Sequence, residues 1–527
     1  MRPILPVPTF CAIFIASIVL AYAVLNIWVK PVVWSDSGFG LLVWDARHER
    51  PFNEMAEPDS RDLSKVIGKF MAAWTPGQYL LPGLLEDAGL SLGAAIVVVV
   101  TAFSILGLWG WLTLYTAFGF PLRTSAIALA IIAGTRHFSF SFGIYVGGEP
   151  LLFGVAPWFL LLVWKLSDLR WYAIVPLVAG TAAMFFAKLS GIVLSAAAIS
   201  AAVISAPKPW GAWRETIHKS FIAGTTLAIV GITFYYAWYR HGWSGAVSGS
   251  AFDWSKALAM AALAFSSTWG ASLSLGDLGN YIFSHPNRPI FRSPIPIAVV
   301  MVIPAAVTFY FVWRRLRASH AKYLRFAALT ALAYGLVLVW IRARGGLIGE
   351  EERYFRIVSL LLFIGIVQTA LELPYRSVRL AALAVGLLCI AYGLSSQTAH
   401  LLANLHYPMG VREFRHSTAN DDVIKFIREI DVASPDRAST LIYVTSPEIG
   451  LEVRNIRVMA NHADFGDAKD LAKVSYRGRV PHLYFIVQNR LIADGKAEIM
   501  LRSFRDYPID EWKKIPLGDF TAFYAGS

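Results

Sequence analysis

Long apolar runs, which recur along most of the first 400 residues, constrain this chain more than any other feature. Leu, Val, Ile and Ala dominate runs of about 15 to 25 residues, and a helix of that length crosses a hydrocarbon core of roughly 30 Å. Backbone polar groups find no water inside a bilayer, so such runs must form helices unless they alternate as barrel strands do. The sequence shows no such alternation. We therefore predict a polytopic α-helical membrane protein.

About eleven spans are expected, with one further segment that is harder to assign. The segment 254–266 is short for a span, so we predict a helix that lies on or dips into the outer interface, and crossing is the alternative. The predicted spans cover residues 8–29, 92–116, 124–144, 150–164, 171–187, 189–206, 220–238, 294–313, 326–341, 356–372 and 380–398.

The charge distribution sets the expected orientation. The net charge of +12 would suggest nucleic acid in a soluble protein, but 56% of the residues are hydrophobic and much of the basic excess lies in loops on one side of the spans. We therefore expect a cytoplasmic N-terminus, no nucleic-acid partner, and a bacterial inner membrane as the location. The long 30–91 loop and the C-terminal tail then face the outside. No small-residue cleavage site follows the first span, so we interpret it as a retained helix.

The composition changes near residue 405, where charged residues become frequent. The segment Ser417–Asp422 has the residues of a helix start, and short β-branched and aromatic runs follow. We predict a transmembrane domain over 1–400 and a soluble extracytoplasmic α/β domain over 405–527. The expected strands are Thr440–Val444, Arg457–Ala460, His482–Val487 and Phe520–Tyr524.

Polar residues at the outer ends of spans are the candidates for chemistry, because each is costly there unless it lines a wet cavity or a site. Asp36 follows the first span and is a candidate general base; helix capping is the equally weighted alternative. Asp45 lies nine residues later and is expected in the same short helix, where a solvated surface position is the favoured interpretation.

The second outer loop brings an acid to the start of the fourth span. Glu149 is expected at that helix N-terminus, where the helix dipole favours a negative charge. Arg136 and His137 belong to the preceding span and need an acidic or aqueous partner there. Glu149 is the nearest candidate in sequence.

The remaining outer turns carry lysine or arginine residues. Lys188 stands alone between two apolar runs, where it either reaches the lipid headgroups or binds a phosphate. Arginines outside the membrane run against the positive-inside trend, which indicates a function such as phosphate binding. The candidates in the last outer loop are Arg342, Arg344, Arg353 and Tyr354.

This arrangement resembles the GT-C class of membrane glycosyltransferases, notably the protein O-mannosyltransferases and the lipid A aminoarabinose transferases. The likeness extends over residues 1–400. The segment Trp74–Tyr79 stands where those families carry a Pro-Pro-x-x-Tyr-like element, Ala187–Gly191 resembles their Thr-Lys-Gly element, and Glu352–Tyr354 resembles their Arg-Tyr. Two departures are that the usual Asp-Glu pair reads Asp36-Ser37 and that Glu149 replaces an Asp. The first leaves metal use undetermined: a divalent metal is possible, and no cofactor is indicated.

The resemblance implies that a polyprenyl-phosphate-linked sugar passes, with inversion, to an acceptor hydroxyl of a lipid, a glycan or a protein. Asp36 would be the base, Glu149 the orienting acid, and Lys188 and Arg353 the phosphate ligands, with Tyr354 shaping the pocket. A transporter or flippase of lipid-linked sugars and a glycan polymerase or O-antigen ligase are the alternatives. The sugar, the acceptor and the role of the C-terminal domain stay open.

Overall fold

The computed structural model describes residues 6–205, 213–242, 251–283, 294–346, 348–434, 436–461 and 468–526. The chain divides into two compact units. The first unit comprises Met1–Leu25, Val100–Phe142 and Gly148–His400, and the second comprises Asn26–Val99, Gly143–Gly147 and Leu401–Ser527.

Helices account for most of the described chain. In order they are α1 (Val7–Val29), α2 (Ser35–Asp45), α3 (Gly77–Asp87), α4 (Leu92–Ala117), α5 (Leu122–Gly134), α6 (Arg136–Gly143), α7 (Gly148–Lys165), α8 (Ile174–Ala187), α9 (Ser190–Ile204), α10 (Trp213–Ala237), α11 (Trp254–Gly270), α12 (Leu275–Phe283), α13 (Pro294–Leu316), α14 (Ala321–Ala343), α15 (Arg356–Glu372), α16 (Arg376–His406), α17 (Asp421–Ala433), α18 (Ala468–Leu471), α19 (Asn489–Ala493) and α20 (Lys496–Leu501).

Strands are short and lie mainly in the C-terminal residues. They are β1 (Val32–Val33), β2 (Glu54–Asp59), β3 (Asp62–Phe70), β4 (Ile144–Tyr145), β5 (Thr440–Val444), β6 (Arg457–Ala460), β7 (His482–Gln488), β8 (Lys513–Leu517) and β9 (Phe520–Gly526).

The described residues contain eight helices long and apolar enough to cross a membrane, or up to ten if two bent helix pairs each count as one span. The bends are 46° between α5 and α6 and 97° between α11 and α12. Each of the eleven predicted spans falls on a helix or on a bent pair, and α8 and α9 are shorter than the others. The protein is an integral membrane protein. The predicted helix at 254–266 is the first arm of the more sharply bent pair.

The first unit is a helical bundle in which α11 packs on α13, α14 and α15, and α9 packs on α14. Two of its buried tyrosines place their hydroxyls on backbone carbonyls of α15. Tyr115 donates to the carbonyl of Leu360 at 2.7 Å, and Tyr323 donates to that of Leu361 at 3.1 Å. An unpaired hydroxyl in such a core would be costly, so these bonds fix the neighbours of α15.

The second unit contains a five-stranded mixed sheet with the order β6-β5-β7-β9-β8. Strands β6, β5 and β7 are parallel, and β9 runs antiparallel to both β7 and β8. All four strands predicted from the sequence are present, and β8 was not predicted. Asn420 caps α17 by accepting from the backbone N–H of Val423 at 2.9 Å, as the helix-start residues indicated.

The first outer loop is more structured than its sequence suggested. Its α2 helix carries Asp36 in the first turn and Asp45 at the end, as expected, but β2 and β3 form an antiparallel hairpin that was not predicted. The whole 30–91 loop belongs to the second unit together with the C-terminal residues, whereas the sequence analysis grouped it with residues 1–400.

Candidate functional site

Glu149 lies in the first turn of α7, which begins at Gly148. Gly147 precedes the helix with φ of 65°, a left-handed conformation that glycine adopts without strain. Pro150, one residue further on, suits a helix start because its φ is already helical and its missing N–H needs no partner there. The Glu149 side chain is only 8% exposed. A buried carboxylate requires a partner that compensates its charge.

Lys188 provides that partner. Helix α8 ends at Ala187 and α9 begins at Ser190, and Lys188 between them has an extended backbone with φ of −161° and ψ of 143°. Its ammonium group forms a hydrogen-bonded ion pair with the Glu149 carboxylate. Lys188 therefore points at an acid inside the first unit and not at the lipid headgroups.

Arg353 and Tyr354 join the same pair from a distant part of the sequence. They lie in the 3-10 turn Glu352–Phe355 just before α15. The Lys188 ammonium lies 5.3 Å from the Tyr354 ring centroid, and the Arg353 guanidinium lies 5.4 Å from it. One aromatic ring thus contacts both cations, which is a favourable arrangement for each of them. The structure brings together Glu149, Lys188, Arg353 and Tyr354, as the proposed phosphate site requires.

Arg356 completes this group, although it was not among the phosphate ligands selected from the sequence. It is the first residue of α15 and only 6% exposed, and its guanidinium lies 5.0 Å from the ring centroid of Phe153, one turn after Glu149. The charges of both Arg353 and Arg356 act on Glu149. The available signal was position: a cation at the outer end of a predicted span, three residues after Arg353. We call Glu149, Lys188, Arg353, Tyr354 and Arg356 the cation cluster.

The cation cluster has more positive than negative groups. Lys188, Arg353 and Arg356 face the Glu149 carboxylate, and the exposed Glu351 pairs with Arg353 at 2.6 Å. Partly buried guanidinium and ammonium groups in excess of carboxylates favour an anion, and phosphate oxygens form strong charge-assisted bonds with them. The arrangement can therefore bind a phosphate and stabilise charge that develops on it.

Arg342 and Arg344, the other predicted phosphate ligands, occupy the end of α14 and the residue after it. Arg342 donates to the Glu350 carboxylate at 3.0 Å. Its charge is thus already matched by an acid of the same loop.

Asp36 lies in the second unit, in the first turn of α2, where it is partly buried. The residue before the helix, Trp34, makes no side-chain cap, and Ser37 donates from its hydroxyl to the carbonyl of Tyr145 at 3.1 Å. Helix α2 packs on the 3-10 turn Pro447–Glu452 of the C-terminal residues. The position of Asp36 is therefore fixed by two segments that are distant in sequence.

The neighbouring acid Glu448 is fully buried in that turn. It accepts a hydrogen bond from the Thr418 hydroxyl and interacts with Ser35. Burial raises the pKa of Glu448 above the ordinary glutamate value.

The segment Trp74–Tyr79 has a scaffolding role in the second unit. The Tyr79 hydroxyl donates to the Asn53 side chain at 2.6 Å, and the Tyr145 hydroxyl donates to the carbonyl of Gln78. Trp74 stacks on Phe39 of α2 with 5.0 Å between ring centroids. These contacts join both outer loops around α2.

Asp45 is partly buried and pairs with a buried arginine, so it is not the freely solvated residue that the sequence favoured. Arg412, which is 4% exposed, donates to Asp45 at 2.8 Å and forms a bidentate pair with Glu86. Burial raises the pKa of Asp45, with the positive charge of Arg412 acting in the opposite direction. We call Asp45, Glu86 and Arg412 the carboxylate lock, because one guanidinium joins two acids within the second unit.

Arg136 and His137 have acidic partners other than the expected Glu149. Arg136 pairs with Asp277 of α12, and Nε2 of His137 lies 3.3 Å from a carboxylate oxygen of Glu352. Both acids are far away in sequence, so proximity along the chain pointed to the wrong residue. The ligand-type atoms of His137, Asp277 and Glu352 all lie within 4.8 Å of one another.

Comparisons with known proteins bear on the fold. No family model and no curated protein matches the sequence. Structures of ArnT from Cupriavidus metallidurans, bound to undecaprenyl phosphate and in the apo state, give TM-scores of 0.53 and 0.52 at 13% identity, covering 98% of this chain and 99% of that one. The archaeal oligosaccharyltransferase AglB from Archaeoglobus fulgidus, in complex with an inhibitory peptide and a dolichol-phosphate, gives a TM-score of 0.47 at 12% identity. That alignment covers 97% of this chain and 74% of the AglB chain. The chain has a GT-C-like fold, which confirms the predicted fold class.

Proposed function

We propose that this protein is an inverting membrane glycosyltransferase that moves a sugar from a polyprenyl-phosphate donor to an acceptor hydroxyl on the extracytoplasmic face of a bacterial inner membrane. The observation that supports this best is the cation cluster, in which three cations surround one buried carboxylate and one aromatic ring. The GT-C-like fold and the undecaprenyl phosphate bound by the compared ArnT structure add support.

The reaction assigns a role to each group. The acceptor oxygen attacks the anomeric carbon from the face opposite the phosphate, the carbon–oxygen bond to the phosphate breaks, and Asp36 takes the proton of the acceptor hydroxyl. Lys188, Arg353 and Arg356 stabilise the negative charge that develops on the leaving phosphate. Glu149 holds Lys188 in place and orients the acceptor.

Donor binding by the purified protein in detergent tests the phosphate site. We expect Lys188→Ala and Arg353→Ala each to weaken binding of a polyprenyl phosphate by about 1.5–3 kcal/mol, the contribution of one charge-assisted hydrogen bond. Arg376→Ala, at an exposed position that starts α16, is the control and should leave binding unchanged. Unaltered binding in both alanine variants of the cluster would overturn the assignment.

Translocation of a lipid-linked sugar is a second candidate, because two bent helix pairs occur in the described chain and broken helices are frequent in transporters. Sugar transfer by purified protein in detergent, where no second compartment exists, separates the two. Product formation there excludes a purely translocating role. Identifying whether the donor lipid carries one sugar or an oligosaccharide then separates the transferase from a glycan polymerase or ligase.

A further inference from the structure

The two helix breaks in the described part of the first unit meet each other. Helix α5 is interrupted at Thr135, whose φ and ψ of −79° and 156° are extended, and α12 follows Ser274, which is left-handed with φ of 56°. The backbone N–H of His137 donates to the Ser274 hydroxyl at 3.1 Å. Interrupted helices within a membrane are maintained where the freed groups serve a cavity or a ligand.

Three side chains with metal-ligating atoms gather at this meeting point. They come from the start of α6, from the first turn of α12, and from the turn before α15: His137, Asp277 and Glu352. Their ligand-type atoms all lie within 4.8 Å of one another. The 3.3 Å between His137 Nε2 and the Glu352 oxygen is close to the separation of about 3.4 Å between two ligands of a tetrahedral ion at roughly 2.0–2.2 Å.

The histidine nitrogen at the centre of this group makes no hydrogen bond within the described part of the chain. His137 is 9% exposed, and its Nε2 is buried and faces the Glu352 carboxylate without the geometry of a hydrogen bond. A buried ring nitrogen without a hydrogen bond is costly, and imidazole is the commonest metal ligand among side chains.

Surrounding hydrogen bonds and ion pairs orient the carboxylates of Glu352 and Asp277. Glu352 accepts from the backbone N–H groups of Gly276 at 2.8 Å and Asp277 at 3.0 Å, and Arg136 pairs with Asp277. Outer hydrogen bonds of this type orient ligands in metal sites. With a neutral imidazole, two carboxylates and one guanidinium leave one negative charge, which a cation would compensate.

We infer that His137, Asp277 and Glu352 bind one divalent transition-metal cation, for which Zn²⁺ is the best match. One imidazole and two carboxylates suit a borderline ion, and Zn²⁺ binds more tightly than Mn²⁺ to a site of this composition. Three protein ligands leave a fourth position for water. Because Glu352 directly precedes Arg353, the ion would also fix the turn that carries part of the cation cluster.

Metal titration of the full-length protein tests this inference without any sugar donor. The protein is purified in detergent, freed of its affinity tag and of metal, and titrated with Zn²⁺ and then Mn²⁺ against a chromophoric chelator, with the thermal unfolding midpoint recorded in parallel. We expect about one equivalent of Zn²⁺ and a raised midpoint, since a ligand that binds only the folded state stabilises it. His137→Gln and Asp277→Asn should each weaken the affinity at least about tenfold.

His400→Gln is the matched control. His400 is also a buried histidine of the first unit whose Nε2 lacks a hydrogen-bond partner, but it belongs to no three-residue ligand group in the described ranges. The Zn²⁺ affinity of the His400→Gln variant should equal that of the wild type. A wild-type protein with no saturable Zn²⁺ site, or equal affinity in His137→Gln and wild type, would overturn the proposal and leave His137 only as a neighbour of Glu352. If His137→Gln does not fold, Asp277→Asn decides, since Asn still accepts a hydrogen bond from Arg136.

Discussion

The cation cluster in the first unit and the carboxylate lock in the second are both partly buried groups of opposite charges, yet their balance differs. In the lock, the guanidinium of Arg412 lies between Asp45 and Glu86, and Arg454 lies 3.6 Å from Glu86, so two cations face two carboxylates. In the cation cluster, Lys188, Arg353 and Arg356 act on the single buried carboxylate of Glu149. A matched set of charges stabilises a fold, whereas an excess of one sign attracts a ligand of the other.

The largest expected effect is that of replacing Asp36, which lies outside the carboxylate lock, compared with replacing Asp45, which belongs to it. Asp36→Asn should lower sugar transfer by about two to four orders of magnitude, because an amide cannot take the acceptor proton. Asp45→Asn should change the rate much less, since Asp45 is bound to Arg412. Initial rates of purified variants provide the measurement. Equal losses in both variants, or none in Asp36→Asn, would assign Asp36 a capping role.

The lock itself should matter for stability. Arg412→Ala leaves two acids without their shared partner and should lower the free energy of unfolding by about 3–5 kcal/mol. Arg502→Ala is the control, because its pair with Glu498 is exposed and such i,i+4 pairs contribute about 0.3–0.5 kcal/mol. Unfolding of the full-length protein in detergent measures both. Similar small effects would mean that the lock is not a stabilising contact.

Arg356 and Arg342 allow a comparison between a cation that exceeds the nearby acids in number and a cation that already has an acidic partner. Arg356→Met should weaken binding of a polyprenyl phosphate by about 1.5–3 kcal/mol, because Lys188 alone still pairs with Glu149 while one phosphate ligand is lost. Arg342→Met, which removes a guanidinium that pairs with Glu350, should have little effect. The reverse order of effects would favour the residue chosen from the sequence over the one found in the structure.

Glu448 gives the smallest expected effect, and it depends on pH. Because burial raises its pKa, the protonated form favours folding below the ordinary glutamate pKa, and that stability is lost as pH rises through the raised value. Glu448→Gln should therefore raise the thermal midpoint at pH 8 and make little difference near pH 4. Glu498→Gln, at an exposed position, is measured in parallel as the control. A midpoint difference for Glu448→Gln that is constant over this range would contradict the sign.

Local patterns were sufficient for much of the fold. A helix or a bent helix pair lies at each of the eleven predicted spans and the four predicted strands are present, because hydropathy and β-branched runs act within a short stretch of chain. The missed elements have weak local signals. The hairpin of β2 and β3 contains charged residues and a proline, and β8 begins with two lysines, so pairing with β9 and not composition determines that strand.

The sequence by itself determined a membrane protein with polar residues at the ends of its spans, because a bilayer imposes length and polarity on every span. It also supplied four members of the cation cluster through their places at helix ends. Only the tertiary structure decided the pairings: Lys188 with Glu149, Asp277 with Arg136, and Glu352 beside His137. Each joins residues of helices or turns that are far apart in sequence. Which helices pack together depends on the summed fit of side chains across the bundle, and no local pattern records that sum.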